Sequence, residues 1–132
     1  MKRTVEQRFW NKVDRSGSCW IWLAYRDEDG YGRFDYMGAH QVAFRLLRGQ
    51  IPPDRQIDHL CRNRACVNPA HMELVTPVIN TLRGEGSAAR FARRIQCGRG
   101  HPFSGANLAI RSDGTRKCRL CHAAYMRAYR VA

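Results

Sequence analysis

Between Asp58 and Asn80 the chain reads DHLCRNRACVNPAHMELVTPVIN, and this segment constrains the fold more than any other. Cys61, Cys66 and His71 recur at intervals of five residues in a polar loop rich in Arg and Asn. Thiolate and imidazole are the donors that tetrahedral Zn2+ prefers. Cysteines serving only as core hydrophobes would sit in apolar surroundings instead. A closed site needs a fourth donor, and Cys19 is the only other cysteine in the first ninety residues. The loop is therefore expected to close on the segment around Cys19. Interleaved with these ligands are Asp58, His59 and Asn80. Asp58 and Asn80 are hard oxygen donors of the kind Mg2+ takes while keeping several waters. The imidazole of His59 can take a proton from water near neutral pH. Such a set suits phosphodiester hydrolysis, in which negative charge must be neutralised and a water activated.

These residues resemble the HNH superfamily of nucleases, the ββα-metal fold. The run HLCRNRACVNPAH is similar to the His-Cys box of homing endonucleases. CWIW, GYG and HLC...NPAHMELVT resemble small HNH proteins of phages and bacteria. The resemblance extends from Cys19 to Arg83. It implies His59 as general base, with Asp58 and Asn80 as ligands of a catalytic Mg2+ or Mn2+. Asn68 matches the motif asparagine of the catalytic set, which in the family braces the loop rather than reacting. His71 matches the final motif position, which in the family can face the catalytic metal. Beside Cys61 and Cys66 it is assigned here to zinc.

A second ligand pattern lies near the C-terminus: Cys97-x3-His101, then Cys118-x2-Cys121. A CxxC paired with an upstream Cys/His pair is a strong zinc signal. His122, next to Cys121, is an alternative to His101. All six cysteines are thus placed in two structural Zn2+ sites, which favours zinc in a reducing compartment over disulfides. MKRTVEQRFW has no apolar run of signal-peptide length and no stretch approaches a membrane span, so the expectation is a cytoplasmic protein that is not secreted and meets no membrane.

The formal net charge is +12. Residues 81–132 carry 11 basic and 2 acidic residues, whereas residues 1–80 carry 12 and 9. This balance points to a polyanionic partner bound largely through the C-terminal part. DNA is the expected partner, with Arg62, Arg64, Arg83, Arg119, Arg127 and Arg130 as contacts. Arg33, between Gly32 and Phe34 in a predicted strand, is added to the catalytic set as a fork for a phosphate oxygen. No stacking signature of an RNA-recognition module is visible.

Local patterns predict a helix over 4–13 with a Thr4/Gln7 capping box. They predict a hairpin of Cys19–Tyr25 with Tyr31–Tyr36, turning at Gly30. A helix over 38–48 follows, with Val42, Ala43, Leu46 and Leu47 as its apolar stripe and Gly49 as its stop. His40, in its first turn, is expected to be structural and hydrogen-bonded near the hairpin. Gln56–Leu60 and Met72–Val75 are predicted strands, and Thr76-Pro77 opens a helix. In the tail, residues 107–118 read as a hairpin turning at Asp113-Gly114, and 119–130 as a helix.

The expected architecture is α+β: a zinc-stabilised ββα-metal nuclease core over 1–90 and a basic zinc-binding hairpin-helix module over 91–132 that contacts DNA. The expected activity is metal-dependent DNA cleavage with one Mg2+ per active site, and a homodimer is one route to double-strand breaks. The alternative is a non-catalytic, zinc-containing DNA-binding protein on the same fold.

Overall fold

The computed structural model describes residues 1–131, which divide into a unit of Met1–Arg83 and a second unit beginning at Gly84. The first opens with α1 (Val5–Trp10), capped as its sequence predicts. Thr4 Oγ1 accepts the Gln7 N–H at 3.2 Å, and Gln7 Oε1 accepts the Thr4 N–H at 3.1 Å. The helix stops before Val13, which instead begins β1 (Val13–Asp14), antiparallel to β2 (Ile21–Trp22).

The predicted hairpin of residues 19–25 with 31–36 does not form as a continuous ladder. β2 is taken by β1, while β3 (Arg33–Phe34) pairs with β4 (Met37–Gly38). Only local links remain around Gly30 (φ 89°): Asp27 N–H to Tyr31 O at 2.9 Å, Arg33 N–H to Tyr25 O at 3.0 Å, and a single bridge Arg26↔Gly32. The reason is the aromatic core. Trp22 is fully buried with Phe9, Phe34, Ala39, Ala43 and Val67. Phe9 and Phe34 meet edge to face at 5.2 Å. A Cβ at Gly32 would lie 2.5 Å from Trp22 Cδ1, so only glycine lets this backbone lie on the indole.

α2 (Ala39–Arg48) ends at Gly49 (φ 101°), as expected. Its buried residues are Ala39, Ala43 and Phe44. Leu46 and Leu47, predicted to be core, are 40% and 49% exposed. Burial stops at Phe44, so the last turn of the helix lies beyond the aromatic cluster.

β5 (Gln56–His59) pairs antiparallel with β6 (Met72–Val75), with Asp58 opposite Glu73 and His59 opposite Met72. Their long connection ends in a 3-10 turn, Pro69–His71. α3 (Pro77–Arg83) follows at once, and Thr76 Oγ1 accepts the Ile79 N–H at 3.3 Å. Among the described residues no strand pairs with the other side of β5.

In the second unit α4 (Ser87–Arg93) precedes a hairpin of β7 (Leu108–Ile110) and β8 (Arg116–Cys118), then α5 (Arg119–Val131). Gly114 turns the hairpin with φ 81°. The Arg116 guanidinium donates to the carbonyls of Phe91 and Arg94 and so ties α4 to β8. The fold is mixed α/β, and every sheet among the described residues has two strands. No helix of the described residues is long and apolar enough to cross a membrane.

Candidate metal centres and hydrolytic site

Both predicted ligand sets assemble. The donor atoms of Cys19, Cys61, Cys66 and His71 all lie within 4.8 Å of one another, as do those of Cys97, His101, Cys118 and Cys121. In the first set His71 Nδ1 is 3.5 Å from Cys19 Sγ and 3.7 Å from Cys66 Sγ. In the second, His101 Nδ1 is 3.5 Å from Cys97 Sγ and 3.6 Å from Cys118 Sγ, and Cys97 Sγ is 3.6 Å from Cys121 Sγ. A tetrahedral ion with Zn–S of about 2.3 Å and Zn–N of about 2.05 Å requires S···N of about 3.6 Å and S···S of about 3.8 Å. These spacings lie close to that figure, while His101 Nδ1 and Cys121 Sγ, 3.2 Å apart, stand nearer than it requires. Burial pushes the thiol of Cys66 up to about 11, and burial with neighbouring thiols does the same to Cys121. The Cys121 N–H, donating to Cys118 Sγ, draws that thiol down to about 6. Four lone-pair donors converge this closely when a shared cation offsets their repulsion. Each cluster could therefore hold zinc. His122 lies outside the second one.

Local geometry explains the first cluster. Val67 N–H donates to Trp20 O at 2.7 Å and Trp22 N–H to Ala65 O at 2.9 Å, which seats the ligand loop against Cys19. Asn68 caps the 3-10 turn through the Ala70 N–H at 3.0 Å and donates to Ser18 O at 2.9 Å. It braces the ligand loop and forms hydrogen bonds with Cys66, Ser18 and Ala70.

Asp58 and His59 find different neighbours, as the pleat demands. Asp58 is 3% exposed, yet both carboxylate oxygens are paired. Arg62 Nη1 lies 2.9 Å from one and Arg83 Nη1 lies 3.1 Å from the other. Arg62 reaches back from a left-handed backbone (φ 58°). Arg83 also meets Glu73 at 2.5 Å, and its two carboxylate partners, Glu73 first, raise its pKa. One turn earlier on α3, Asn80 Nδ2 donates to Gln56 Oε1 at 2.9 Å. Asp58 and Asn80 thus both belong to the α3-facing side of β5.

His59 is 6% exposed and packs on Tyr31 (ring centroids 5.8 Å) and His40 (5.0 Å). Its Nε2 is 3.0 Å from the Cys66 carbonyl oxygen. A carbonyl only accepts, so Nε2 carries the proton and Nδ1 the lone pair. Burial lowers its pKa, partly countered by the Cys66 hydrogen bond and the charge of Asp58.

A cleft of about 270 Å3 runs along the unpaired edge of β5. Arg33, His40, Gln56, Ile57 and Asn80 line it, but Asp58 and His59 do not. Gln56 and Ile57 point to opposite faces, and no β6 residue contributes, so groups from both faces converge at this edge. His40 departs from expectation: its Nδ1 is buried and makes no hydrogen bond. Sequence reasoning missed it as a member of the site. The signal was the Gly-Ala-His run opening α2, since a Cβ at Gly38 would lie 2.8 Å from His40 Cε1.

Arg64 donates to Asp29 O at 2.8 Å and lies over the Tyr31 ring at 5.3 Å. Arg119, Arg127 and Arg130 are exposed on α5. At about 100° per residue they fall within an arc of about 80° on one helix face.

Residues 37–82 match the model of an HNH endonuclease family. The chain is 31% identical over 71 residues to Protein 2.8 of Escherichia phage T7, which is 53% of this chain and 50% of the relative. It is 30% identical over 60 residues to the uncharacterized gene 5.3 protein of Enterobacteria phage T3, 38% of this chain and 59% of the relative. The chain thus spans about half the length of the curated relatives it matches. No solved structure matches. The matched segment, residues 37–82, carries β4, α2, β5, β6 and nearly all of α3, and it is similar to HNH endonucleases.

Proposed function

We propose that the chain is a metal-dependent DNA endonuclease whose centre is the ββα unit of β5, β6 and α3. The observation that carries this reading is the fixed state of His59. Its Nε2–H is committed to the Cys66 carbonyl at 3.0 Å, leaving Nδ1 with a lone pair. Burial depresses its pKa, so the ring is neutral at neutral pH and ready to take a proton from water. Once protonated, it would be stabilised by the Cys66 carbonyl and the adjacent Asp58 charge, the two influences that raise its pKa.

Asp58 and Asn80 would hold Mg2+, a fit supported by their oxygen donors on one side of β5 and by a buried carboxylate that needs positive charge. When bound, such an ion neutralises charge on the phosphate and on the departing oxygen. Arg62 and Arg83 hold the Asp58 carboxylate in the structure. Exchange of that carboxylate for phosphate oxygens would turn both into DNA contacts. Arg33 in the cleft adds to the basic groups of the first unit, and the second unit would offer Arg119, Arg127 and Arg130 on α5 as DNA contacts of its own, each unit braced by one zinc ion.

The rival reading, a DNA-binding protein without catalysis, draws on one observation. Both Asp58 oxygens are already paired and Asn80 is engaged with Gln56. Incubation with supercoiled plasmid and Mg2+ separates the two. Relaxed or linear product that disappears in His59→Ala, at parental zinc content, supports the nuclease. A mobility shift without cutting supports the rival.

A further inference from the structure

His40 has a defined position in the first turn of α2 and no partner to explain it. Its ring packs on Tyr31 (centroids 5.4 Å) and on His59 (5.0 Å). It folds back over Gly38, the residue whose missing side chain leaves room for it. Nδ1 is sealed from solvent with no hydrogen bond. A buried orphan N–H is rarer than an unused acceptor lone pair, so the proton of the neutral ring belongs on Nε2. The ring is neutral because burial, then the charges of His59 and Arg33, push its pKa down to about 4. So weak a base is not a second proton acceptor for water at neutral pH. What remains is one fixed donor, Nε2–H, beside the cleft that His40 lines.

The cleft has the chemistry of an anion site. Arg33 and Arg55 bring two positive charges to it, Gln56 and Asn80 bring amides, and Asp27 is its single acid. The Arg33 guanidinium forms no salt bridge among the described residues. Arg55 meets only its exposed neighbour Asp54, at 3.4 Å. A volume of about 270 Å3 admits a phosphate group with its sugar carbons.

We propose that this cleft seats a phosphate group of a DNA strand, and that His40 is one of its binding residues, donating Nε2–H to a non-bridging oxygen while Arg33 supplies the charge. The identity of the strand rests on the endonuclease reading; the phosphate chemistry of the cleft does not. Through its ring contact with His59, His40 would hold that phosphate beside the proposed base.

Two variants separate donor from packing. His40→Phe keeps a ring against Tyr31 and His59 but removes the donor. His40→Gln puts an amide N–H near the position of Nε2. Dissociation constants for a short DNA duplex, measured without added Mg2+ and without chelator so that the zinc sites stay intact, need no cleavage. A hydrogen bond to a charged group contributes about 1.5–3 kcal/mol, so His40→Phe should weaken binding roughly tenfold or more, and His40→Gln should recover most of it. If the protein cuts, the same factor should appear in KM with kcat within about threefold. A protein that never cuts refutes the nuclease reading and leaves the affinity ratio to decide on His40. Unchanged affinity in His40→Phe overturns the proposal, as does equal weakening in both variants. Should His40→Phe fail to fold, histidine 15N spectra of the parent decide: the His40 Nε2 resonance must shift on adding duplex, and an unmoved resonance overturns the assignment.

Discussion

Acidification should weaken this fold through His40 by an amount that can be worked out. Burial pushes the imidazole of His40 down to about 4 in the folded chain, against about 6.5 for a free histidine. Between those values the unfolded chain binds more protons than the folded one, so stability falls as pH falls. The contribution is fully present above the unfolded pKa and is lost as pH falls toward the folded one. From about pH 7.5 to about pH 5.5 the linkage relation gives a loss of about 1.3 kcal/mol. That figure hardly changes for any folded value below about 5, because at pH 5.5 the folded ring stays mostly neutral throughout that range. The assay is urea unfolding at the two pH values, followed by the fluorescence of Trp10, Trp20 and Trp22. Protonation of the zinc ligands also costs stability in acid, but it does so equally in His40→Phe. The parent should therefore lose about 1.3 kcal/mol more than the variant over this interval. Equal losses, or a His40 titration near 6.5 by NMR, would refute the argument that burial keeps the ring neutral.

Metal analysis should find two zinc ions per chain; Cys19→Ser should lose one and with it the first unit's cooperative unfolding, since structural zinc contributes roughly 10–16 kcal/mol in small modules. A single zinc in the parent contradicts the clusters as drawn. Asp58→Asn should cost about 1–2 kcal/mol in urea unfolding, a discounted figure because the partner arginines are 56% and 38% exposed and can turn to water. It should abolish plasmid cleavage, and parental cleavage would remove Asp58 from the metal site. Gly32→Ala should destabilise by about 1–3 kcal/mol through overpacking against Trp22, and a melting temperature at or above that of the parent would show the contact to be soft.

The ligand sets were legible in the sequence because metal chemistry is written in residue type and spacing. Cys61, Cys66 and His71 named the loop, and the want of a fourth donor named Cys19. The β5–β6–α3 order was equally legible, since Thr76-Pro77 is a local helix signal and the flanking strands alternate. The pairing of residues 19–36 was not. Their alternation is real, but the competition between β1 and β3 for β2 is settled by where Trp22 is buried, and burial depends on contacts distant in sequence. The exposure of Leu46 and Leu47 escaped for the same reason: helical periodicity says which residues share a face, not how far the core extends beneath it. His40 was hidden because its importance lies in a tertiary neighbour, His59, and in the side chain that Gly38 lacks.

A strand that presents Asp58 and His59 in succession poses a geometric problem, because adjacent side chains leave a sheet on opposite faces. A wide sheet would keep them apart. Here, among the described residues, β5 pairs with β6 alone. Asn80 of α3 and His40 of α2 line one cleft along the other edge of β5, the first from the face of Asp58 and the second from the face of His59. A phosphate at the edge can be approached from both faces without any break in the pleat. Two-stranded pairing, which gives this chain so little sheet to stabilise it, is also what leaves that edge unpaired. The Cys19–Cys61–Cys66–His71 cluster, which could hold zinc, and the Phe9–Trp22–Phe34 cluster would then fulfil the task a larger sheet would otherwise have, holding the loops that flank the edge in place.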